Sequence, residues 1–151
     1  MARLPSSVLF ACSFNAIRSP MAAGMLKRLH PRRIYVDSVG VREAPLDPFA
    51  VAVMQEIGID IAGHVPKTFE ALEDTSYDLV VSLSPEAQHK AVELTRTMAC
   101  EVEFWPVFDA TAVEGSREEI MSAYRTVRDH LRRRILERFP AADPFGGAGS
   151  S

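Results

Sequence analysis

The sequence predicts a single-domain α/β fold, a doubly wound four-stranded parallel sheet with helices on both faces. Short apolar runs suited to buried strands alternate along the chain with longer segments whose apolar residues recur at helical spacing. With 151 residues, the chain is long enough to bury one core of its own. No segment repeats another, so a repeat architecture is not indicated. In folds of this kind, ligands bind at the carboxyl ends of the strands.

The first half of the chain contains two predicted strands and two predicted helices. The apolar run at 7–11 is suited to the centre of a parallel sheet, and a short second strand is expected at 34–36. Between them, Ser19 before Pro20 predicts the N-cap and first position of a helix with one apolar face. An Asp-Pro pair opens a second helix over 47–58, which we expect a glycine to end.

The second half repeats the alternation. A serine-proline pair predicts the start of one helix, and Ser116 with Glu119 predicts a capping box for the last helix, over 117–139. The apolar run at 77–82 is the clearest predicted strand after the first. The expected elements before the last helix are a short helix at 68–72, a strand at 77–82, a helix at 84–96 and a strand at 100–105.

The composition excludes several classes of function. The formal net charge of −3 provides no basic field for nucleic acid, and no apolar segment is long enough to span a bilayer. The first residues lack the apolar region of a secretory signal. Cys12 and Cys100 are too few for a disulfide framework, and no Cys or His spacing suggests zinc. We therefore expect a cytoplasmic protein without metal or cofactor that binds neither nucleic acid nor membrane, folded over 1–140 and with a flexible tail over 141–151.

The stretch between the first strand and the first helix carries the reactive side chains. It reads Cys12-Ser13-Phe14-Asn15-Ala16-Ile17-Arg18-Ser19 and is called the 12–19 loop below. A loop in this position can direct successive amide N–H groups into one concavity, backed by the positive end of the helix. Such a cradle attracts anions and favours the thiolate of a cysteine at its base. Cys12 is therefore the predicted nucleophile, and Arg18, whose planar guanidinium matches phosphate oxygens, is the predicted anion ligand.

The 12–19 loop, with the apolar run before it and Pro20 after it, resembles the signature of the low-molecular-weight protein-tyrosine-phosphatase family. The matching features are the cysteine, five intervening residues and then Arg18-Ser19, with Asn15 in the family's position. The resemblance implies an α/β enzyme that hydrolyses a phosphate monoester through a phosphocysteine intermediate, or a relative that reduces arsenate. It also implies that residues 13–19 surround the bound phosphate.

Four further roles follow from this chemistry and from the resemblance. The departing alcohol or phenol needs a proton donor from a different loop, and Asp109, after the fourth strand, meets that need as general acid and then base. In the family, the residue that matches Asn15 is held by a serine and a histidine, which correspond here to Ser38 and His64. A solvated loop position is an equal alternative for this histidine. Ser19 can donate to the sulfur anion and help it leave in the second step.

The chain departs from the family pattern in several places, two of which concern the wall and mouth of the predicted pocket. The family's acid is usually followed by proline and often by an aromatic residue, whereas Asp109 is followed by Ala110. Trp105 or Phe108 could supply the missing aromatic wall, or either could belong to the core. Phe14 stands where the family usually has glycine, and it either restricts the loop backbone or lines the mouth of the pocket.

Three functions are open at this point. The first is hydrolysis of a phosphorylated protein or a small aryl phosphate, with phosphotyrosine as the expected substrate and inorganic phosphate as product and inhibitor. The second is arsenate reduction with an external thiol, because residues 80–94 contain no cysteine for a thioredoxin-coupled form. The third is a non-catalytic module that binds an oxyanion. The presence of both Cys12 and Asp109 favours catalysis over the third.

Overall fold

The computed structural model of the protein describes residues 4–72 and 76–141. Within these residues one parallel sheet is formed by the strands β1 (Ser7–Cys12), β2 (Tyr35–Gly40), β3 (Leu79–Ser82) and β4 (Glu101–Phe104). Their order across the sheet is β2-β1-β3-β4, which places the strand before the 12–19 loop in the interior. The predicted four-stranded parallel sheet is confirmed. Most of the predicted tail, 142–151, lies outside the described residues.

Helices cover both faces of the sheet, as predicted for a doubly wound fold. They are α1 (Arg18–Leu29), α2 (Pro48–Gln55), α3 (Pro85–Leu94) and α4 (Arg117–Arg138), with single 3-10 turns at Phe69–Ala71 and Ala110–Ala112. The helices α1, α2 and α4 share the larger core, whereas α3 covers the opposite face. Of the helices described, none is both long enough and apolar enough to cross a membrane.

The strand β1 is buried on both faces, which explains its continuous apolar sequence. Val8 and Phe10 pack into the core formed with α1 and α4, whereas Leu9 and Ala11 pack into the core under α3. Each of these side chains is fully buried. Successive residues of a strand point to opposite faces, so one run of apolar residues joins the two cores. The carboxyl end of this rigid strand is Cys12.

Three of the predicted helix starts are confirmed at the level of individual hydrogen bonds. Asp47 accepts from the amide of Phe49, and Ser84 accepts from the amide two residues after Pro85. Ser116 and Glu119 form the complete capping box of α4. These bonds satisfy amide groups that have no partner inside the first helical turn, so the local sequence alone predicts them.

The predicted start of α1 is wrong by two residues. The helix begins at Arg18, its N-cap is Ile17, and no side chain caps it. Ser19 lies inside the first turn, and its hydroxyl instead contacts Cys12 and Asn15. The proline at position 20 still fits, since the first turn of a helix has amide positions without an intrahelical partner. The serine hydroxyl that could have capped the helix is therefore engaged in hydrogen bonds with the 12–19 loop instead.

The second strand is longer than predicted, and this changes the position of Ser38. Residues 35–40 pair with β1 in register, from Tyr35 beside Ser7 to Gly40 beside Cys12. Ser38 was expected in a loop after the strand, but it lies within β2 with its side chain buried. The pairing along the whole of β1 extends a segment whose own apolar signal is short. The other strands and helices end within a few residues of their predicted bounds.

Candidate active site

A pocket of about 180 Å³ lies at the carboxyl end of β1. Its lining includes six residues predicted from the sequence to form the site: Cys12, Phe14, Ala16, Ile17, Arg18 and Asp109. It also includes four residues that were not predicted as site residues: Ala44, Pro45, Asp47 and Thr111. The first two belong to the loop expected at this edge of the sheet. Asp47 was recognised for its role as a helix cap, which concealed its position on the pocket wall.

Carbonyl groups of the 12–19 loop are hydrogen-bonded to the segment that follows β2. Four of them accept hydrogen bonds from its amide groups: Cys12 from Val41 (3.1 Å), Ser13 from Arg42 (2.8 Å), Phe14 from Ala44 (3.2 Å) and Ala16 from Asp47 (3.1 Å). In a planar trans peptide the N–H is anti to the carbonyl. The amide groups that follow these carbonyls are therefore directed to the other side of the loop, as an anion cradle requires.

The sulfur of Cys12 lies at the base of the loop within reach of hydrogen-bond donors. Its side chain is 2% exposed, and Sγ accepts from the backbone amide of Asn15 over 3.3 Å. Ser19 Oγ lies 2.9 Å from the same sulfur. When the sulfur is a thiolate, this hydroxyl must be the donor, and both contacts then stabilise the negative charge. The arrangement suits a nucleophilic sulfur at the floor of a small pocket.

Asn15 is the centre of the hydrogen bonds that hold the loop. Its φ of 56° lies in the left-handed region, which asparagine tolerates better than most residues. Its side-chain Nδ2 donates to Ser19 Oγ over 2.8 Å and to Ser38 Oγ over 3.0 Å. Its Oδ1 accepts from His64 Nε2 over 3.0 Å and from the amide of Lys67 over 2.9 Å. Both donors and both acceptor directions of this buried amide are used.

The contact with Asn15 determines the tautomer of His64. Because the side-chain oxygen of Asn15 can only accept, His64 Nε2 carries the proton and donates. Burial lowers the pKa of His64 below its ordinary value of 6.5, and the hydrogen bond to the backbone of Asn15 opposes this only in part. The imidazole is therefore neutral at pH 7. The sequence left a solvated loop histidine as an equal alternative, whereas the structure places this ring against the 12–19 loop.

Three residues of the predicted phosphate-binding set direct their side chains away from the pocket. Asn15 and Ser19 are fully buried beneath the loop. Ser13 Oγ donates to Ser84 Oγ, at the start of α3, over 3.1 Å. Any contact of these three residues with a bound anion would therefore come from their backbone amides. Gly40 makes this packing possible, since a Cβ there would lie 2.6 Å from the amide nitrogen of Asn15.

Arg18 connects the loop to the segment that carries the predicted acid. It lines the pocket, and its Nη1 donates to the carbonyl oxygen of Val107 over 3.0 Å. The guanidinium is thus fixed at one corner by the chain that follows β4. The sequence had placed Arg18 and Asp109 near each other only through the general position of loops in such folds.

Asp109 lines the same pocket and is oriented by a neighbour. Its Oδ1 accepts from the amide of Thr111 over 2.9 Å and from Thr111 Oγ1 over 2.6 Å. Partial burial raises the pKa of Asp109, but the two bonds from Thr111 and the charge of Arg18 outweigh it. The net result is a pKa below the ordinary value of 3.8. The two bonds from Thr111 hold the carboxylate in one orientation.

Asp47 forms part of the pocket wall and is held from two sides. Its Oδ1 accepts from the amide of Phe49 over 2.8 Å, and its Oδ2 accepts from the hydroxyl of Tyr124 over 2.7 Å. Burial and the bond to Asp47 raise the pKa of Tyr124, so that the phenol remains a neutral donor. This wall of the pocket is thus anchored to the buried face of α4.

Of the two aromatic residues proposed as a pocket wall beside the acid, Trp105 belongs to the core. It is 3% exposed and packs edge-on against Phe10, with ring centroids 6.0 Å apart. Phe108 is exposed but does not line the pocket. The aromatic side chain that does line it is Phe14. Over residues 4–72 and 76–141, no cluster of three or more His, Cys, Asp or Glu side chains could hold a metal ion.

Comparisons with known proteins show which family the chain resembles. The family model described as low molecular weight phosphotyrosine protein phosphatase matches residues 7–139. The glutaredoxin arsenate reductase of Synechocystis sp. is 31% identical over 134 residues, which cover 85% of this chain and 92% of that protein.

Solved structures confirm the fold. An arsenate reductase in the phosphate binding state has a TM-score of 0.67 and 30% identity, with 87% of this chain and 94% of that chain covered. A tyrosine phosphatase of Erwinia amylovora has a TM-score of 0.69 with 90% of this chain and 95% of that chain covered. Its identity of 18% supports the common fold alone.

Proposed function

Because the chain belongs to the low molecular weight phosphotyrosine protein phosphatase family, we propose that it hydrolyses phosphate monoesters through a phosphocysteine intermediate. The observation that carries this proposal is one pocket that contains a thiol, a guanidinium and a carboxyl group: Cys12, Arg18 and Asp109. A nucleophile, an anion ligand and a proton donor are the groups that the two-step reaction needs.

In the first step, the sulfur of Cys12 attacks phosphorus in line with the departing oxygen. The S–P bond forms, the P–O bond breaks, and Asp109 gives its proton to the departing oxygen. Arg18 and the amide groups of the 12–19 loop bind the other phosphate oxygens, on which charge is spread in the transition state. The hydroxyl of Ser19, 2.9 Å from the sulfur, stabilises the thiolate before the attack.

In the second step, a water molecule attacks the phosphorus of phosphocysteine. Asp109, now ionised, takes a proton from this water, the S–P bond breaks, and inorganic phosphate and the thiolate are released. Asp109 must be protonated when substrate binds, and its pKa lies below the usual range. We therefore expect activity to rise on the acidic side of neutrality.

Two kinds of substrate fit this reaction. One is a phosphorylated protein, in which phosphotyrosine is the side chain we expect to be hydrolysed, and the other is a small aryl phosphate. Inorganic phosphate would be both product and competitive inhibitor. The reaction requires a free thiolate, so a reducing compartment such as the cytoplasm suits it.

Hydrolysis of phenyl phosphate, measured as the release of inorganic phosphate, tests the proposal. We expect turnover by the wild type and by Cys100→Ser, and none by Cys12→Ser. The Cys100→Ser variant controls for the loss of a thiol as such. Asp109→Asn should lower the rate about 100-fold, the usual contribution of a general acid. Turnover by Cys12→Ser at the wild-type rate would contradict the proposal.

A second candidate is arsenate reduction with an external thiol, and the similarity to arsenate reductases favours it. Cys12 would displace a hydroxide from arsenate to form an S–As bond. A thiol would then attack the sulfur of Cys12, which releases arsenite and leaves a mixed disulfide. A second thiol would restore Cys12 and leave the two external thiols as a disulfide, so that two electrons reduce one arsenic atom.

The requirement for an external thiol separates the two reactions. Arsenate reduction consumes two thiols for each arsenic atom, so arsenite should form only when a thiol is supplied and retained, whereas the amount of phosphate released from phenyl phosphate should not depend on thiol consumption. Thiol-dependent arsenite formation that exceeds phenyl phosphate hydrolysis in the wild type would favour the second candidate. If phosphate binds and neither product forms, the remaining hypothesis, a non-catalytic oxyanion-binding module, would hold.

A further inference from the structure

Phe14 is an exposed aromatic residue on the wall of the pocket. Its side chain is 43% exposed, whereas the nucleophile two residues before it, Cys12, is 2% exposed. Both residues line the same pocket, so Phe14 lies nearer its mouth. Because the sulfur attacks phosphorus from the side opposite to the departing oxygen, the leaving group of a bound substrate must lie toward that mouth.

The ring of Phe14 is held in place by its surroundings. The guanidinium of Arg42 lies over the ring, 5.3 Å from its centroid, and Arg42 in turn pairs with Glu86 over 2.6 Å. The carbonyl oxygen of Phe14 accepts from the amide of Ala44 over 3.2 Å. A Cβ on Gly40 would lie 2.7 Å from the carbonyl carbon of Phe14, so the loop backbone is tightly packed there.

Among the described residues that line the pocket, Phe14 is the one aromatic side chain. The other apolar residues of the lining, Ala16, Ile17, Ala44 and Pro45, are aliphatic. Trp105 is enclosed in the core, so it is not available to a ligand. A planar leaving group in this pocket would therefore find its aromatic contact at Phe14.

We propose that Phe14 is a specificity-determining residue whose ring packs against the aromatic leaving group of an aryl phosphate. This inference rests on the proposed hydrolysis of phosphate monoesters and assigns the residue that would select aryl esters among them. A ring fixed before binding loses little conformational freedom when the substrate arrives, so the contact contributes to affinity.

Calorimetric titration of the intact chain with three ligands tests this inference without turnover. The ligands are phenylphosphonate, methylphosphonate and inorganic phosphate. We expect the wild type to bind phenylphosphonate more tightly than methylphosphonate. Phe14→Leu, which keeps an apolar side chain of similar size, should weaken phenylphosphonate binding by about 3- to 10-fold, the value of an aromatic pair. Binding of the other two ligands should change by less than about 2-fold.

Phe108→Leu is the matched control, because Phe108 is similarly exposed but does not line the pocket. It should leave the affinities for all three ligands unchanged. Phe14→Trp should retain the preference for phenylphosphonate, since it keeps a ring at the position. If Phe108→Leu removed the preference and Phe14→Leu did not, the wall would be Phe108 and the inference would be overturned.

The remaining outcomes separate this inference from the proposed function. If the wild type binds phosphate and hydrolyses phenyl phosphate but Phe14→Leu weakens all three ligands equally, Phe14 has only a structural role and the inference fails alone. If the wild type binds neither phosphate nor a phosphonate, the proposed function fails and the inference fails with it. A wild type that binds phenylphosphonate no more tightly than methylphosphonate also overturns the inference.

Discussion

The Nη1 group of Arg18 donates a hydrogen bond to the carbonyl oxygen of Val107 over 3.0 Å. This bond joins the end of the 12–19 loop to the segment that carries Asp109, two residues further along. The proposed anion ligand is therefore held against the segment that bears the proposed acid. Residues far apart in the sequence form one site because their strands end at the same edge of the sheet.

Arg18→Lys should impair the site even though the positive charge is kept. Lysine keeps the positive charge but cannot hold Val107 and two phosphate oxygens with one planar group. We expect kcat/KM for phenyl phosphate to fall about 10- to 100-fold, the value of one to two charge-assisted hydrogen bonds. Arg28→Lys is the control, because Arg28 is on the same helix and donates to Gly58 on the surface. Equal rates for wild type and Arg18→Lys would contradict the role of Arg18.

Thr111→Val should shift the pH dependence of the reaction. Its hydroxyl donates to Asp109 and helps to lower the pKa of that carboxyl group. Removal of this donor favours the protonated acid, so the pKa of Asp109 rises. The basic limb of kcat/KM against pH should therefore move to higher pH, while Thr111→Ser, which keeps the hydroxyl, should follow the wild type. A profile unchanged in Thr111→Val would show that Asp109 does not set the basic limb.

The lowered pKa of His64 makes the folded protein less stable in mild acid. Below the ordinary value of 6.5, the unfolded chain takes up a proton that the folded His64 resists. Stability from this group is thus complete above that value and decreases as the pH falls through it. The bond to Asn15 is not the cause, since Nε2 donates in both protonation states.

Urea denaturation of wild type and His64→Gln between pH 8 and pH 5 measures this effect. We expect the variant to lose about 1 kcal/mol at pH 8, the value of one hydrogen bond, and to depend less on pH. Some dependence should remain, because burial and nearby arginines also lower the pKa of His130. If the free energy of unfolding depended on pH in the same way in the two proteins, the role given to His64 would be refuted.

Glu56 joins α2 to α4 through two arginines. It pairs with Arg125 over 2.9 Å and with Arg128 over 2.7 Å, and these bonds lower its pKa from 4.5 to about 2. A lowered carboxyl pKa contributes stability that is present above 4.5 and lost as the pH falls toward 2. The side chain is 36% exposed, so solvent screening reduces the contribution.

Glu56→Gln should therefore lower the free energy of unfolding by about 1 kcal/mol at pH 7, and the difference should vanish near pH 2. Denaturant titration at the two pH values measures it. Glu118→Gln is the control, because Glu118 also pairs with Arg125 but is 79% exposed. Glu118→Gln should lower the free energy of unfolding by only a few tenths of a kcal/mol. A larger effect of Glu118→Gln than of Glu56→Gln would contradict this assignment.

The sheet and three helix caps were predicted correctly, whereas two features that depend on tertiary contacts, the length of β2 and the start of α1, were not. The capping groups at Asp47, Ser84 and Ser116 act within one helical turn, so their sequence patterns were sufficient. The extension of β2 to Gly40 depends on its pairing with β1. Ser19 has a local capping pattern, but the partners that bind its hydroxyl come from other turns of the chain.

The site residues, too, were predicted where a local pattern identifies them and missed where it does not. The residues predicted for the nucleophile, the anion ligand and the acid come from motifs and loop positions, and the structure brings Cys12, Arg18 and Asp109 into one pocket. The unpredicted members of the lining, such as Asp47 and Thr111, have ordinary capping and turn roles in the sequence. Nothing in their local pattern indicates that a pocket lies beside them.

The sequence by itself determined the alternation of strands and helices, the identity of the reactive loop and the family, because these depend on periodicity and on contiguous residues. Only the tertiary structure decided which aromatic side chain faces the pocket, where Asn15 finds its partners and how Arg18 meets the acid-bearing segment. Those outcomes depend on contacts between residues far apart in the chain, such as Asn15 with Lys67 and Arg18 with Val107. Such contacts form only when the packed sheet brings the loops to one edge.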